Sequence, residues 1–216
     1  MKTSRWTFAV AGAFLAAIGS LTGVAVLSAG QPSPVERVWP AAAAPPQLQP
    51  EISRADVVIV EVHGALRSAL EAKLAKVSPE LALFTCHTSA ADLSRRIWRR
   101  DGIASGLTSD RLRNPHNAPP SWTASLVTTY AGHRAASVDG FVVDLGDRVG
   151  VLRPMIQDAV CARCHGPAER LDPAVRDTLG RLYPEDRALG FRRGEIRGWY
   201  WVEVPKPREQ RGTGGN

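Results

Sequence analysis

The 216-residue chain reads as an α+β domain in which helices flank an antiparallel sheet, preceded by an N-terminal signal or anchor helix. Three observations predict this. Two long stretches repeat apolar residues at three- and four-residue steps, as amphipathic helices do. Later stretches are short and apolar, two of them joined by a Gly-Asp turn, as hairpin strands are. The N-terminal part is instead a 24-residue apolar run from Trp6 to Ala29, followed by six prolines between Gln31 and Pro50.

In that N-terminal part, Lys2 and Arg5 precede the acid-free apolar run, an order that reads as an export signal. A run of this length also suffices to span a bilayer. Residues 1–29 are therefore expected to act as a cleaved signal peptide or as a membrane anchor formed by residues 6–29. Either way the body of the chain is expected on the periplasmic side of the cytoplasmic membrane. The formal charge is +6, and losing residues 1–29 removes two of the 27 bases and none of the 21 acids, which leaves +4. An exported chain never meets nucleic acid, so the charge is assigned to a surface facing anionic lipid or an acidic partner. Residues 30–52 are expected to form a stiff, extended Pro/Ala-rich linker. Residues 53–204 make the domain, and 205–216, with Pro205-Lys206-Pro207 and a Gly-rich end, a disordered tail.

Within the domain, Ser53 with Asp56 three residues on marks a helix start. Val62, Leu66, Leu70, Leu74 and Val77 follow as one apolar stripe, with His63 beside it as a surface or packing residue. Ser78-Pro79-Glu80 starts a second helix: a cap, a proline in the first turn and an acid at the positive end of the helix dipole. It runs to about Arg100 and stops at Gly102. Its stripe is Leu83, Cys86, Ala90, Leu93 and Ile97, which turns Cys86 to the core and His87 about 100° away. A short strand ending at Pro115 comes next, then a turn and a helix through Tyr130. Gly140 to Leu145 and Val149 to Ile156 form a hairpin around Gly146-Asp147-Arg148. Glu195 to Val204 gives a last strand, with the aromatic run Trp199-Tyr200-Trp201.

The chemistry concentrates in Cys161-Ala162-Arg163-Cys164-His165-Gly166. The spacing C-x-x-C-H is that of a c-type haem attachment site, where each sulfur adds across a haem vinyl and the histidine ligates the iron from below. Two other readings share the cysteines. One is a disulfide or redox dithiol, which needs no adjacent histidine; the other is a Cys₃His zinc site that takes in Cys86. Three cysteines exclude a fully paired disulfide framework. Haem attachment also takes place outside the cytoplasmic membrane, in agreement with the export signal. For the iron's opposite face, the candidates are Cys86, His87, His116, His133, His63 and Met155, because neither methionine nor histidine follows His165. Cys86 stands out as a lone thiol on an apolar stripe of an exported chain. Arg113 is a candidate for pairing with the haem propionates, since guanidinium and carboxylate match in a bidentate geometry; Arg95, Arg96 and Arg99 read as a solvated helix face.

Cys86 on its helix, Arg113-Asn114-Pro115-x-Asn117-Ala118-Pro119-x-x-Trp122 and Leu152-Arg153-Pro154 ahead of the C-x-x-C-H motif form one ordered set. Tyr183-Pro184-x-Asp186-x-Ala188-x-Gly190 and Gly194-Glu195-x-Arg197-Gly198 complete it. Over roughly residues 55–204 the set resembles the bacterial haem c sensor-type domain, which occurs alone and as the extracytoplasmic input of histidine kinases and chemoreceptors. The resemblance implies a PAS-like antiparallel sheet and a single haem c held covalently through Cys161 and Cys164. It further implies axial iron ligands His165 and Cys86.

A thiolate opposite histidine would favour Fe(III), giving a low potential and a ligand that leaves on protonation or reduction. The expected function is thus an exported redox sensor, or a sensor of a small gas such as CO or NO, acting through a separate signalling protein, since no output module follows residue 204. A periplasmic electron-transfer cytochrome c with a redox protein partner is the alternative, and a structural zinc domain is a third class. An enzyme is not expected: no nucleophile-and-base constellation is present, and Ser89, Ser94 and Ser105 read as surface or loop residues.

Overall fold

The computed structural model describes residues 37–76 and 79–207, apart from the side chains of residues 75, 76, 79–82 and 84–88. The apolar run, most of the Gly-rich tail and the Cys86 and His87 side chains lie outside the described residues. Among the described residues no helix is long and apolar enough to cross a membrane.

Two long helices, α1 (Gln49–Lys76) and α2 (Pro79–Asp101), precede most of the sheet. The strands are β1 (Val38–Pro40), β2 (Ala104–Thr108), β3 (Phe141–Asp144), β4 (Arg148–Ile156) and β5 (Ile196–Pro205), in the spatial order β1-β3-β4-β5-β2. Every pairing between them is antiparallel. Three further helices are short: α3 (Ala124–Thr129), α4 (Ala162–His165) and α5 (Pro173–Leu182).

The two helical stripes expected from the sequence are present at their described positions; Val77 and the Cys86 side chain lie outside the described residues. Val62 on α1 and Leu83, Leu93 and Ile97 on α2 are buried. Helix α1, however, begins before Ser53. Pro50 sits in its first turn, where a missing N–H costs nothing, and Leu48 and Ile52 are drawn into the core. The 30–52 segment also departs from a free spacer. Val38–Pro40 pairs with Phe141–Val143 at the sheet edge, and Trp39 packs against the main core. Proline is tolerated on an edge strand because it owes no ladder hydrogen bond there. At the other end Pro205 belongs to β5, and Lys206 is tied to the hairpin through the Asp144 carboxylate and the Asp147 carbonyl. The strand expected to end at Pro115 lies earlier, at Ala104–Thr108, because Ser109 turns the chain and donates to the Arg197 carbonyl.

Both faces of the sheet are covered. On β5 the side-chain period of two sends Tyr200 to the core beneath α1 and Trp199 to a second core with Phe141, Leu152 and Ile196. That alternation accommodates the three consecutive aromatics. Gly140 sets the entry to β3 at φ +102°, and a Cβ there would lie 2.2 Å from the Leu152 carbonyl oxygen. The obstruction is backbone and cannot rotate away. G140A is therefore expected to destabilise by about 1–3 kcal/mol or more, read as a lower urea midpoint at unchanged slope.

Candidate functional site

Between the α1–α2 pair and one face of the sheet lies a cavity of about 450 Å³, within the range of small-molecule and cofactor sites. Helix α1 contributes His63, Leu66, Arg67 and Leu70, and α2 contributes Leu83, Ala90 and Ala91. Strands β4 and β5 supply Met155, Arg197, Gly198 and Tyr200. Cys161, Cys164 and His165 line the same cavity.

The local chain explains why those three residues share a wall. The His165 amide donates to the Cys161 carbonyl at 2.9 Å, and the Gly166 amide to that of Ala162 at 3.1 Å. The motif thus closes on itself as the single turn α4. A Cβ at residue 166 would lie 2.6 Å from the Ala162 carbonyl oxygen, so the turn needs its glycine. Cys164 packs with Leu83 of α2 and with Leu171, Val175 and Leu179 in and beside α5.

His165 is held by backbone. Its Nδ1 lies 2.9 Å from the Ala188 carbonyl oxygen, a group that only accepts, so Nδ1 carries the hydrogen and Nε2 keeps its lone pair. Burial first, then the Arg197 and Arg113 guanidiniums, push its pKa well below the ordinary imidazole value, against the raising effect of Ala188. A neutral imidazole with a fixed tautomer is the form that ligates a metal.

Arg113 lines the cavity, but its guanidinium is engaged within the protein. Nε donates to Asp186 at 2.9 Å and one terminal nitrogen to the Cys164 carbonyl at 2.6 Å. The Asp186 carboxylate also accepts from the Ala188 amide at 2.8 Å. Arg113 and Asp186 therefore fasten α4 to the very loop whose carbonyl orients His165, a positioning role. Arg95 and Arg99 border a different groove, beside Trp98 and Trp201, and Arg96 is exposed.

The candidates for the opposite side are dispersed. Cys86 stands on α2 one turn from Leu83 and one from Ala90, two residues that line the cavity. His63 reaches the cavity and its Nδ1 lies 2.8 Å from the Tyr200 hydroxyl. Met155 is there too, in contact with Arg197. His116 and His133 are exposed, bonded near their own turns and not part of the lining. Asp158, unremarked in the sequence, caps the entry to α4. Burial works against its carboxylate, but the Cys161 amide and the Arg67 guanidinium donate to it and hold its pKa below the usual value. A depressed carboxylate pKa stabilises the fold above the unfolded value and loses that contribution as pH falls through the folded one. Acid unfolding should accordingly start below about pH 4, and D158N should reduce the pH dependence of the denaturation midpoint there.

Sheet, paired helices and the C-x-x-C-H wall together define an α+β domain built around one cavity. The Tll0287-like family model (Tll0287) matches residues 46–205, and the chain belongs to that family. Among solved structures, the crystal structure of the cyanobacterial heme-protein Tll0287 superposes with a TM-score of 0.57 at 23% identity, covering 76% of this chain and 98% of that one. At that identity the likeness speaks for the fold. The comparison with curated proteins found no match.

Proposed function

We propose that this protein binds one haem c in the cavity, covalently through Cys161 and Cys164, with His165 as an axial ligand. The observation that carries the reading is the His165 ring: its Nδ1 hydrogen is committed to the Ala188 carbonyl, which leaves the lone pair on Nε2, on the wall that holds both motif cysteines. A dithiol or disulfide has no use for that arrangement. The crystallised member of the fold is described as a heme-protein, which supports the same reading.

Haem, when bound, supplies a one-electron couple and a face on which a small gas can bind. The chain's own residues do the rest. The two sulfurs would retain the group, Ala188 fixes the imidazole tautomer, Arg113 and Asp186 hold α4 in place, and α1 and α2 wall the cavity opposite the sheet. Cys86 is our candidate for the opposite axial position, from its place on α2 between two lining residues. We read the sheet and its covering helices as PAS-like and the chain as exported, its N-terminal segment serving as signal or anchor. We read it as a redox or gas sensor acting through a separate protein, and not as an enzyme.

Protein matured with a cytochrome c assembly system should show a Soret band that survives denaturation. No band, with both motif thiols still open to alkylation, would end the haem reading. C86A should change the ferric spectrum markedly, and an unchanged spectrum would remove Cys86 from the axial position. Spectra of the reduced protein separate sensing from electron transfer: loss of the distal ligand on reduction fits a sensor, whereas retention in both states fits a carrier.

A further inference from the structure

Four arginines line the cavity, and three of them have carboxylate partners. Arg67 pairs with Glu71 and Asp158, Arg111 with Asp110 and Glu195, and Arg113 with Asp186. Arg197 has none among the described residues. Its Nε is buried without any hydrogen-bond partner. One of its terminal nitrogens contacts the Met155 sulfur, a weak acceptor, and the other lies 3.5 Å from His165 Nε2. A half-buried guanidinium with an orphaned N–H in an apolar cavity is costly unless an anion arrives to pair with it.

Its position adds a second constraint. Any group that binds Nε2 has to displace the guanidinium, and the described carboxylate that lines the cavity beside it, Asp158, is already paired with Arg67. Haem brings two carboxylates of its own. Resting on the haem reading, we propose that Arg197 is the carboxylate clamp of the cavity: it covers His165 Nε2 until haem binds, then moves aside and pairs with a haem propionate. Arg197 follows directly on Ile196, whose amide is bonded to the His133 carbonyl. Arg197 lies at the β4–β5 bulge, where its carbonyl accepts from the Ser109 hydroxyl, so the backbone of the clamp is held and only its side chain has to turn.

The test uses the matured full-length protein, its R197Q and R197K variants, and a midpoint potential measured across pH. A cation beside a carboxylate lowers that carboxylate's pKa by about 1–3 units. In R197Q the pH at which the potential becomes pH-dependent should move up by that amount, and the potential itself should fall because a positive charge near the iron is lost. R197K, which keeps a point charge but not the planar fork, should fall between. A profile for R197Q that superimposes on the parent overturns the clamp while leaving the haem reading intact; a parent protein without a Soret band overturns the haem reading itself. A further measurement keeps the question decidable if R197Q does not fold. With Arg197 retained, the C161A/C164A chain should bind haem about tenfold to a hundredfold more tightly than haem dimethyl ester, the span of one charge-assisted hydrogen bond. Equal affinities would overturn the clamp.

Discussion

Asp186→Ala is expected to cost about 3–5 kcal/mol, because it strips one partner from a buried ion pair and leaves the other charge uncompensated. The side chains of Arg113 and Asp186 are 12% and 7% exposed, well removed from the surface pairs whose loss is hardly measurable. The same carboxylate accepts the Ala188 amide, so the loop bearing the His165 acceptor loses its anchor as well. Urea unfolding followed by tryptophan fluorescence should register the cost, and D186N, which keeps an acceptor oxygen, should lose less. A D186A midpoint corresponding to under about 0.5 kcal/mol, the ordinary surface range, would mean that the pair does not fasten α4 in solution. The matured protein offers an independent readout: the D186A spectrum should be heterogeneous, because the imidazole orientation is no longer fixed.

Removal of both motif sulfurs has the largest expected effect on cofactor retention. In C161A/C164A, porphyrin that otherwise survives a denaturing gel should be entirely extractable, while His165 still allows reversible binding in the native state. Each single variant should keep one thioether and remain coloured under denaturation. A haem-stained band from the double variant would place the attachment elsewhere.

Much of this architecture was legible in the sequence. The stripes of α1 and α2 and the hairpin of β3 and β4 follow from periodicity and turn residues, because those signals are local. Edge strand β1 was hidden. Its three residues sit in a proline-rich segment, and what makes them a strand is β3, about a hundred residues away in the chain. The site divides in the same manner. Cys161, Cys164 and His165 announce themselves by spacing, whereas Arg113 revealed its charge but not its commitment, since Asp186 and the Cys164 carbonyl reach it only in the folded chain. Arg197 lies in a signature, yet only the fold reveals that it is the cavity's arginine without a described carboxylate. Asp158 is another such case, because its partner Arg67 comes from α1.

The acceptor that selects the ring nitrogen of His165 is a peptide oxygen. Any residue placed at position 188 still carries one, so no single substitution there deletes the group itself. The preference for one imidazole nitrogen is thereby insulated from point mutation and is open to change only through the path of the main chain. Two homologues of unlike composition in this loop can inherit the same coordination preference, provided their backbones follow the same course.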